Sequence, residues 1–456
     1  MKDFVKILRQ YWLLLITFST GFLVYVFLHL RNPLVYGVDG AFYAGEIKCI
    51  ISMGYPCLLD SPLPLYLPVL FVLIGADTLL AVKLALALFT SLTTIPVYMI
   101  SFRATRSHFY AFISSLIYLF NPFTMRLGVE FLKNIVALFF FMFFIYYFYI
   151  IIVVGEKEKH KWLYPIILLI ALSHILVYII LIAFTLIALL YSIAYSRNLT
   201  KPLLLVFLYE IFLVVFDFFI PVLHLSPYIK LLFNSGSSQL SVLRTIDYMS
   251  PEMLLVITSI LSMIYALYIT RNKIIILPIL LLELTVLIPL PFFAGISWRL
   301  LLLFSIYLPL SVTFCYGQPN SRLTSIKSFI AIIILVFSIT LSLSTSIGYY
   351  RPLLGQDIVS ELENTLPLLV ENNTIIIVPD KILRHWVFFT IAPNIVFEDY
   401  DQALNYLLER NRDPHRYVFF EILYSPNPTI PPPPPSLEHI LLYRGRYIYV
   451  YELETG

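Results

Sequence analysis

The chain has 456 residues, of which 60% are hydrophobic and only 12% are charged. A mean hydropathy of +0.88 is too high for a chain of this length to hide its apolar side chains in its own interior, so lipid must cover much of its surface. The formal net charge of +3 and the dispersed basic residues argue against nucleic acid as a partner. Three cysteines are too few for a disulfide scaffold or a four-cysteine zinc site.

The predicted elements begin with a retained signal anchor, because a basic N-terminus precedes an apolar run over 11–30 with no small-residue cleavage site. A helix needs about 20 apolar residues to cross the hydrocarbon core. On that scale the sequence predicts about eleven transmembrane helices. They lie near 11–30, 79–101, 109–122, 134–154, 162–173, 175–195, 203–222, 253–270, 274–291, 299–315 and 328–347.

Alternate connections between these spans are rich in lysine and arginine, which are retained on the cytoplasmic side of a membrane. The basic connections are those at 2–9, 103–106, 157–161, 197–201, 271–273 and 322–327. The alternation predicts a multi-pass protein of the cell membrane with a cytoplasmic N-terminus. An odd number of spans then places the C-terminal part outside.

The sequence changes character after the last span, where polar residues return. We predict three domains: a transmembrane domain over 1–349, an extracytoplasmic α/β domain over 350–430, and a proline spacer with a terminal hairpin over 431–456. Predicted strands lie at 374–378, 394–397, 417–422, 439–442 and 447–451, and predicted helices at 381–391 and 402–410. The predicted fold class is therefore an α-helical polytopic membrane protein with a small C-terminal α/β domain.

The longest outer segment before the C-terminal part, residues 31–77, carries polar groups that follow the first span. If Asp39 begins an interfacial helix, Tyr43 and Glu46 follow at i+4 and i+7 on the same face. That face would offer two carboxylates and a phenol at the membrane surface. We therefore treat the three residues as candidates for a site.

The same segment contains two cysteines, Cys49 and Cys57. They pair if the loop faces an oxidising compartment, and otherwise they are two small apolar residues; the sequence leaves both readings open. The run 63–74 is apolar but too short and proline-broken for a span, which suits a segment lying in the interface.

A second group of candidates lies at other outer ends of the spans. Arg126, Glu130 and Lys133 recur about one helical turn apart, His174 stands alone between two apolar stretches, and Arg299 begins a late span. Taken singly, a charge near a membrane boundary is more often an anchor or a snorkelling side chain. Their joint placement on one predicted side favours a site.

The arrangement resembles the GT-C superfamily of polytopic glycosyltransferases, which use polyprenyl-phosphate-linked sugars and include protein mannosyltransferases, lipid A aminoarabinose transferases and oligosaccharyltransferases. The resemblance in overall arrangement covers about the first 350 residues, and a few residue patterns carry the specific match. They are Gly37-x-Asp39 with Tyr43, then Gly54 and Pro62-Leu-Pro64-Leu-Tyr66, then Arg126-x-x-x-Glu130-x-x-Lys133-Asn134, and Arg299.

The resemblance implies an inverting transferase that moves a hexose or pentose from a lipid-linked donor to a lipid, glycan or protein acceptor. It makes Asp39 the catalytic base or acceptor-orienting carboxylate and Glu130 the second catalytic acid. Arg126, Lys133 and Arg299 become contacts for the lipid phosphate. Tyr43, Glu46 and His174 complete the predicted set as substrate-binding residues.

Two departures from the family pattern limit what the resemblance implies. No Trp-Trp-Asp-Tyr-Gly block is found, which argues against glycan transfer to asparagine. No Asp-x-Asp is found among the first 350 residues, over which the resemblance extends, so the need for a divalent cation, Mg²⁺ or Mn²⁺, stays open.

Two rival interpretations follow from other residues. Glu210, Asp217 and Glu283 are acids within predicted spans, where they are costly unless paired or protonated. Such groups are typical of a transporter or flippase, although no repeated pattern links two halves of the chain. In the other interpretation, the membrane part is a scaffold that presents an outer binding domain.

Overall fold

The structure, a computed structural model, describes residues 2–58, 60–219, 252–269, 273–285, 300–316, 324–346, 350–371, 373–410, 414, 417–425, 432 and 434–453. Its contacts divide the chain into two compact units. The helical unit comprises residues 1–28, 60–64 and 85–349, and the mixed unit comprises residues 29–59, 65–84 and 350–456.

Within the described residues, every predicted span contains helix. In chain order the helices are α1 (Lys2–Leu30), α2 (Gly40–Met53), α3 (Pro62–Tyr66), α4 (Val69–Leu73), α5 (Thr78–Leu92), α6 (Thr94–Thr105), α7 (His108–Phe120), α8 (Pro122–Glu130), α9 (Leu132–Tyr149), α10 (Leu163–Ser173), α11 (Ile175–Tyr195), α12 (Arg197–Phe219), α13 (Met253–Ile269), α14 (Lys273–Thr285), α15 (Phe304–Tyr316) and α16 (Thr324–Leu341). Each predicted span contains one or two of them.

Six helical segments of the described residues are long and apolar enough to cross a membrane. They are Trp12–Leu30, Thr78–Thr105, Leu132–Val154, Ile175–Tyr195, Arg197–Asp217 and Ile326–Ser344. Some large apolar side chains on the helices face outward, as Tyr268 does with 86% of its surface exposed, and lipid accounts for this exposure. The chain is therefore a multi-pass membrane protein, while the count of eleven spans stays a prediction.

Close packing in the helical unit fixes the N-terminal part of α8. The hydroxyl of Tyr25 in α1 donates to the carbonyl oxygen of Leu119 at 2.8 Å, and a Cβ on Gly128 would lie 2.6 Å from Tyr25 Cε1. Asn121 caps α8 by accepting a hydrogen bond from the Thr124 amide at 2.9 Å. Only a glycine at position 128 allows this approach.

The mixed unit contains a five-stranded sheet in the order β2-β1-β3-β5-β4. The strands are β1 (Thr374–Ile377), β2 (Val396–Phe397), β3 (Val418–Tyr424), β4 (His439–Arg444) and β5 (Ile448–Leu453). β1 pairs in parallel with β2 and β3, whereas β5 pairs antiparallel with β3 and β4. The predicted terminal hairpin is thus formed by β4 and β5, and it belongs to the same sheet as β1 to β3.

Three further helices belong to this unit: α17 (Gln356–Leu369), α18 (Lys381–Ile391) and α19 (Tyr400–Glu409). Apolar side chains of β1, β3 and β5 pack with α19 in one core, which includes Ile375, Phe419, Leu453 and Leu407. The alternation of side chains along the strands supplies this buried face. The sequence predicts α18 and α19 but not α17.

Candidate active site

Asp39 lies immediately before the first residue of α2, at the end of a tight turn. Gly37 makes the turn with a φ of 69°, a conformation that side chains with a Cβ disfavour. A Cβ on Gly40 would lie only 2.8 Å from the Cβ of Val35. The carbonyl of Asp39 accepts the first hydrogen bond of the helix, from Tyr43 at 3.0 Å, while its partly exposed carboxylate does not cap the helix.

His385 of α18 contacts the residue before Asp39. Its Nδ1 lies 2.7 Å from the carbonyl oxygen of Val38, and because a carbonyl only accepts, Nδ1 carries the proton. Burial lowers the pKa of His385, while the Val38 carbonyl and the negative charge of Asp39 oppose that shift. The Nε2 atom of the neutral ring is therefore a hydrogen-bond acceptor, and Asp39 stabilises the ring when it becomes protonated.

Close contact between α2 and α18 holds Asp39 near His385. A Cβ on Gly45 would lie 2.6 Å from ring carbons of Phe388, so this face of α2 admits only glycine. Lys48 donates to the carbonyl of Phe389 at 2.8 Å and lies 3.6 Å from the centre of its ring. These contacts fix both helices and with them the separation of the two polar side chains.

Tyr43 and Glu46 follow Asp39 on α2 as predicted, but they lie in the interior of the unit, with 1% and 0% of their surfaces exposed. The Glu46 carboxylate accepts hydrogen bonds from the amides of Cys57, at 2.8 Å, and Leu58, at 3.1 Å. In the structure, Glu46 therefore stabilises the loop that follows α2. The role in substrate binding stays a prediction for both residues.

The loop after α2 is closed by a disulfide between Cys49 and Cys57, whose Cα atoms lie 5.7 Å apart. The sequence left this pairing open, and the structure resolves it. The third cysteine, Cys315, is free and buried.

The helical unit contains a separate polar pair, Lys133 and Asp60. Lys133 stands in the first turn of α9, and its Nζ lies 2.5 Å from Oδ2 of Asp60. The chain bends at Phe131, between α8 and α9, where φ is −100° and ψ is 60°. Both charged side chains are largely buried, with 15% and 7% of their surfaces exposed, which strengthens their attraction.

The other predicted residues are distributed as follows. Arg126 and Glu130 lie one turn apart on α8, and both are partly buried. His174 separates α10 from α11 in an extended conformation and is 7% exposed. Arg299 lies outside the described residues. Roles for all four in catalysis or substrate binding stay predictions.

The intramembrane acids of the rival interpretation contact hydroxyl groups on neighbouring helices. Thr185 donates to Glu210 at 2.9 Å, and Ser259 donates to Glu283 at 2.9 Å. Asp217 is also buried, with 1% of its surface exposed. Hydroxyl donors of this kind fit buried acids that stabilise helix packing.

No three histidine, cysteine, aspartate or glutamate side chains converge on a common point within the described parts of the chain. The described residues alone therefore do not supply a set of three protein ligands for a divalent cation.

Two residues that contact the candidate sites, His385 and Asp60, were not among the predicted candidates. His385 lies 347 positions after Val38 in the chain, and Asp60 lies 73 positions before Lys133. Local sequence patterns carry no signal for contacts at such separations. The apolar, proline-broken run over 63–74, just after Asp60, predicted a segment lying in the interface but no contact with Lys133.

Comparison with solved structures defines the class of the fold. No protein-family model matches the sequence, and no curated protein matches it. Solved structures of GT-C glycosyltransferases do match. At this low identity they establish that the chain has a GT-C-like fold, as the resemblance in the sequence predicted.

Two of these proteins match over most of the chain. ArnT from Cupriavidus metallidurans, solved bound to undecaprenyl phosphate, matches with a TM-score of 0.60 and 13% identity over 96% of this chain and 97% of its own. The archaeal oligosaccharyltransferase AglB from Archaeoglobus fulgidus, solved with an inhibitory peptide and a dolichol-phosphate, matches with a TM-score of 0.56 and 14% identity over 91% of this chain and 70% of its own. The A. fulgidus oligosaccharyltransferase has also been solved with Zn and sulfate.

Proposed function

We propose that this chain is a membrane glycosyltransferase that transfers a sugar from a polyprenyl-phosphate-linked donor to an acceptor on the extracytoplasmic face. The observation that carries the proposal is Asp39, held at the start of α2 beside His385 in a chain of GT-C-like fold. The structures that share the fold support the donor class, since one was solved with undecaprenyl phosphate and another with a dolichol-phosphate.

In the proposed reaction the acceptor hydroxyl attacks the anomeric carbon of the donor sugar. The bond from that carbon to the phosphate oxygen breaks, and its electrons leave with the polyprenyl phosphate. The Asp39 carboxylate accepts the proton of the acceptor hydroxyl, which is ordinary general-base catalysis. Inversion at the anomeric carbon follows from a single displacement.

His385 is proposed to position Asp39 rather than to react. The Nδ1–H bond to Val38 fixes the turn that carries Asp39, so the carboxylate is already oriented when the acceptor binds.

The departing phosphate requires fixed positive charge. Lys133, oriented by Asp60, is our proposed contact, and Arg126 and Arg299 are the further candidates that the sequence provides. Because Asp60 constrains the ammonium before the substrate arrives, Lys133 loses little conformational freedom on binding.

The test compares Asp39→Asn with wild-type protein in lipid nanodiscs. A positioned general base contributes about 10²- to 10⁴-fold, so release of polyprenyl phosphate should fall by that order with an unchanged melting temperature. Asp357→Asn, which changes an exposed aspartate of α17, is the matched control. Mass spectrometry of lipid-linked sugars that accumulate in a deletion strain supplies the donor, and full activity in Asp39→Asn would contradict the proposal.

The same assay separates transfer from transport. Under the transporter interpretation, Glu210→Gln and Glu283→Gln abolish activity and Asp39→Asn has little effect. We expect Asp39→Asn to lose activity and the two glutamine variants to keep most of it, because both glutamates already have hydroxyl partners within the helical unit.

A further inference from the structure

A pocket of about 300 Å³ lies within the mixed unit between the loop after α2 and the sheet. This volume is at the lower end of the range for small-ligand sites. Side chains that carry hydroxyl, amide or guanidinium groups line much of it: Tyr55, Thr374, Asn394, Tyr406, Arg410 and Tyr417. The predicted function assigns no role to any of them.

The loop that forms one wall of this pocket is fastened at several points. Gly54 ends α2 with a φ of 85°, and its amide donates to the carbonyl of Ile50 at 2.8 Å. The hydroxyl of Tyr66 donates to the Gly54 carbonyl at 3.1 Å, the disulfide closes the loop at Cys57, and Glu46 binds its last amides. Tyr55, 60% exposed, is therefore presented by a rigid support.

The opposite wall carries Arg410, which pairs with none of the carboxylates in the described part of the chain. The guanidinium of Arg410 lies 4.5 Å from the ring centre of Tyr406, and none of the described carboxylates forms an ion pair with it. Stacking on the ring leaves the edge of the guanidinium group available. That edge is suited to bind a carboxylate through two parallel hydrogen bonds.

The remaining side chains favour a sugar. Tyrosine rings offer flat apolar faces together with hydroxyl groups, and the Asn394 amide and Thr374 hydroxyl can each donate and accept hydrogen bonds. A sugar ring has apolar C–H faces and a rim of hydroxyls, which match these groups. Arg410, a cation among the described lining residues, adds a preference for a ring that carries a carboxylate.

We propose that this pocket binds a carboxylated sugar of an extended saccharide, as a subsite distant from Asp39. Asp39 precedes α2 and Met53, which also lines the pocket, ends it. At about 1.5 Å per residue, the 14 residues of the helix separate the two places by about 21 Å. The assignment of this saccharide as the acceptor rests on the proposed function. Its binding to the pocket does not depend on that function.

The test measures binding by calorimetry on the full chain in nanodiscs. The probes are oligosaccharides that contain uronic or sialic acid, each paired with its carboxyl methyl ester. We expect at least one acid to bind about tenfold more tightly than its ester, a difference of about 1.4 kcal/mol, and Arg410→Gln to remove that preference. Arg444→Gln changes an exposed arginine outside the pocket and should leave binding unchanged.

Three results would overturn the proposal: equal binding of acids and esters throughout the panel, equal binding by wild type and Arg410→Gln, or preference for an acidic peptide over every saccharide. If Arg410→Gln fails to fold, Tyr55→Ser at the exposed wall tests the same site, with weaker binding expected. Asp39→Asn should bind the saccharide normally but not transfer sugar. Failure of this subsite and failure of the proposed reaction are therefore distinguishable.

Discussion

Nδ1 of His385 and the carbonyl oxygen of Val38 are joined by a hydrogen bond of 2.7 Å, one residue before Asp39. Burial is the largest influence on the pKa of His385 and lowers it from an ordinary value of 6.5; Lys381 and Arg384 lower it further, against the opposing Asp39 charge. The unfolded chain then holds the proton more tightly than the folded one. The stability that neutral His385 provides should therefore be complete above about pH 6.5 and decline as the pH falls toward the folded pKa.

Melting temperatures of the full chain at about pH 5 and about pH 8 check this dependence. His385→Asn is the informative variant, because its side-chain amide can still donate to Val38 but does not titrate. The difference in melting temperature between the two conditions should be smaller in His385→Asn than in wild type. An equal difference in both proteins would show that other groups cause the dependence.

Gly45→Val should destabilise the protein without touching any candidate site residue. The added side chain would overlap Phe388 at a point where the Cβ alone lies 2.6 Å away, and overpacking of this kind costs about 1–3 kcal/mol. Thermal unfolding in nanodiscs measures the loss. Gly355→Ala, with open space around its Cβ, is the control and should unfold close to the wild-type temperature.

Lys133→Met should raise the KM for the lipid-linked donor by about tenfold or more, the range for a hydrogen bond to a charged group. It should also lower stability by about 1–3 kcal/mol, because the mostly buried Asp60 loses its cation. Asp60→Asn should have a smaller effect on KM, since the ammonium remains. The double variant should be less impaired than the sum of the single ones.

The control for this pair is Lys159→Met, which breaks an exposed ion pair of 2.9 Å with Glu156. Exposed pairs contribute about 0–1 kcal/mol, so donor KM and stability should both stay near wild type. If Lys159→Met raised the KM as much as Lys133→Met, a general effect of charge would explain both results.

Reporter fusions test the predicted orientation. A reporter at Lys159 should be cytoplasmic and one placed after Tyr350 external, because lysine and arginine concentrate in alternate connections. Protease protection in sealed vesicles gives an independent measurement. Both reporters on the same side would mean that the number of spans between them is even.

Much of the secondary structure could be predicted from local pattern. The helix over 381–391 was predicted with the bounds of α18, and the strands over 439–442 and 447–451 correspond to β4 and β5. These segments combine clear periodicity with turn residues at their ends. The helix α17 was not predicted; Pro367, a residue that disfavours helix, lies within it.

Contacts between distant parts of the chain could not be predicted in the same way. The sequence indicated that Asp39, Tyr43 and Glu46 share one helical face, but the burial of Tyr43 and Glu46 depends on what packs against that face. Likewise, the approach of His385 to Val38 depends on the packing of α2 against α18. Such relationships depend on the tertiary fold, and local periodicity carries no information about it.

The bond between Cys49 and Cys57 spans eight positions of the chain and, with the predicted outer orientation of this loop, implies a maturation step. Thiols persist in the cytosol and are oxidised in extracytoplasmic compartments, so we expect the loop to leave the ribosome reduced and to close after translocation. The wall that presents Tyr55 would then be completed only on the far side of the membrane. A newly made chain would be unable to capture a saccharide before it had reached the compartment in which that saccharide is to be used.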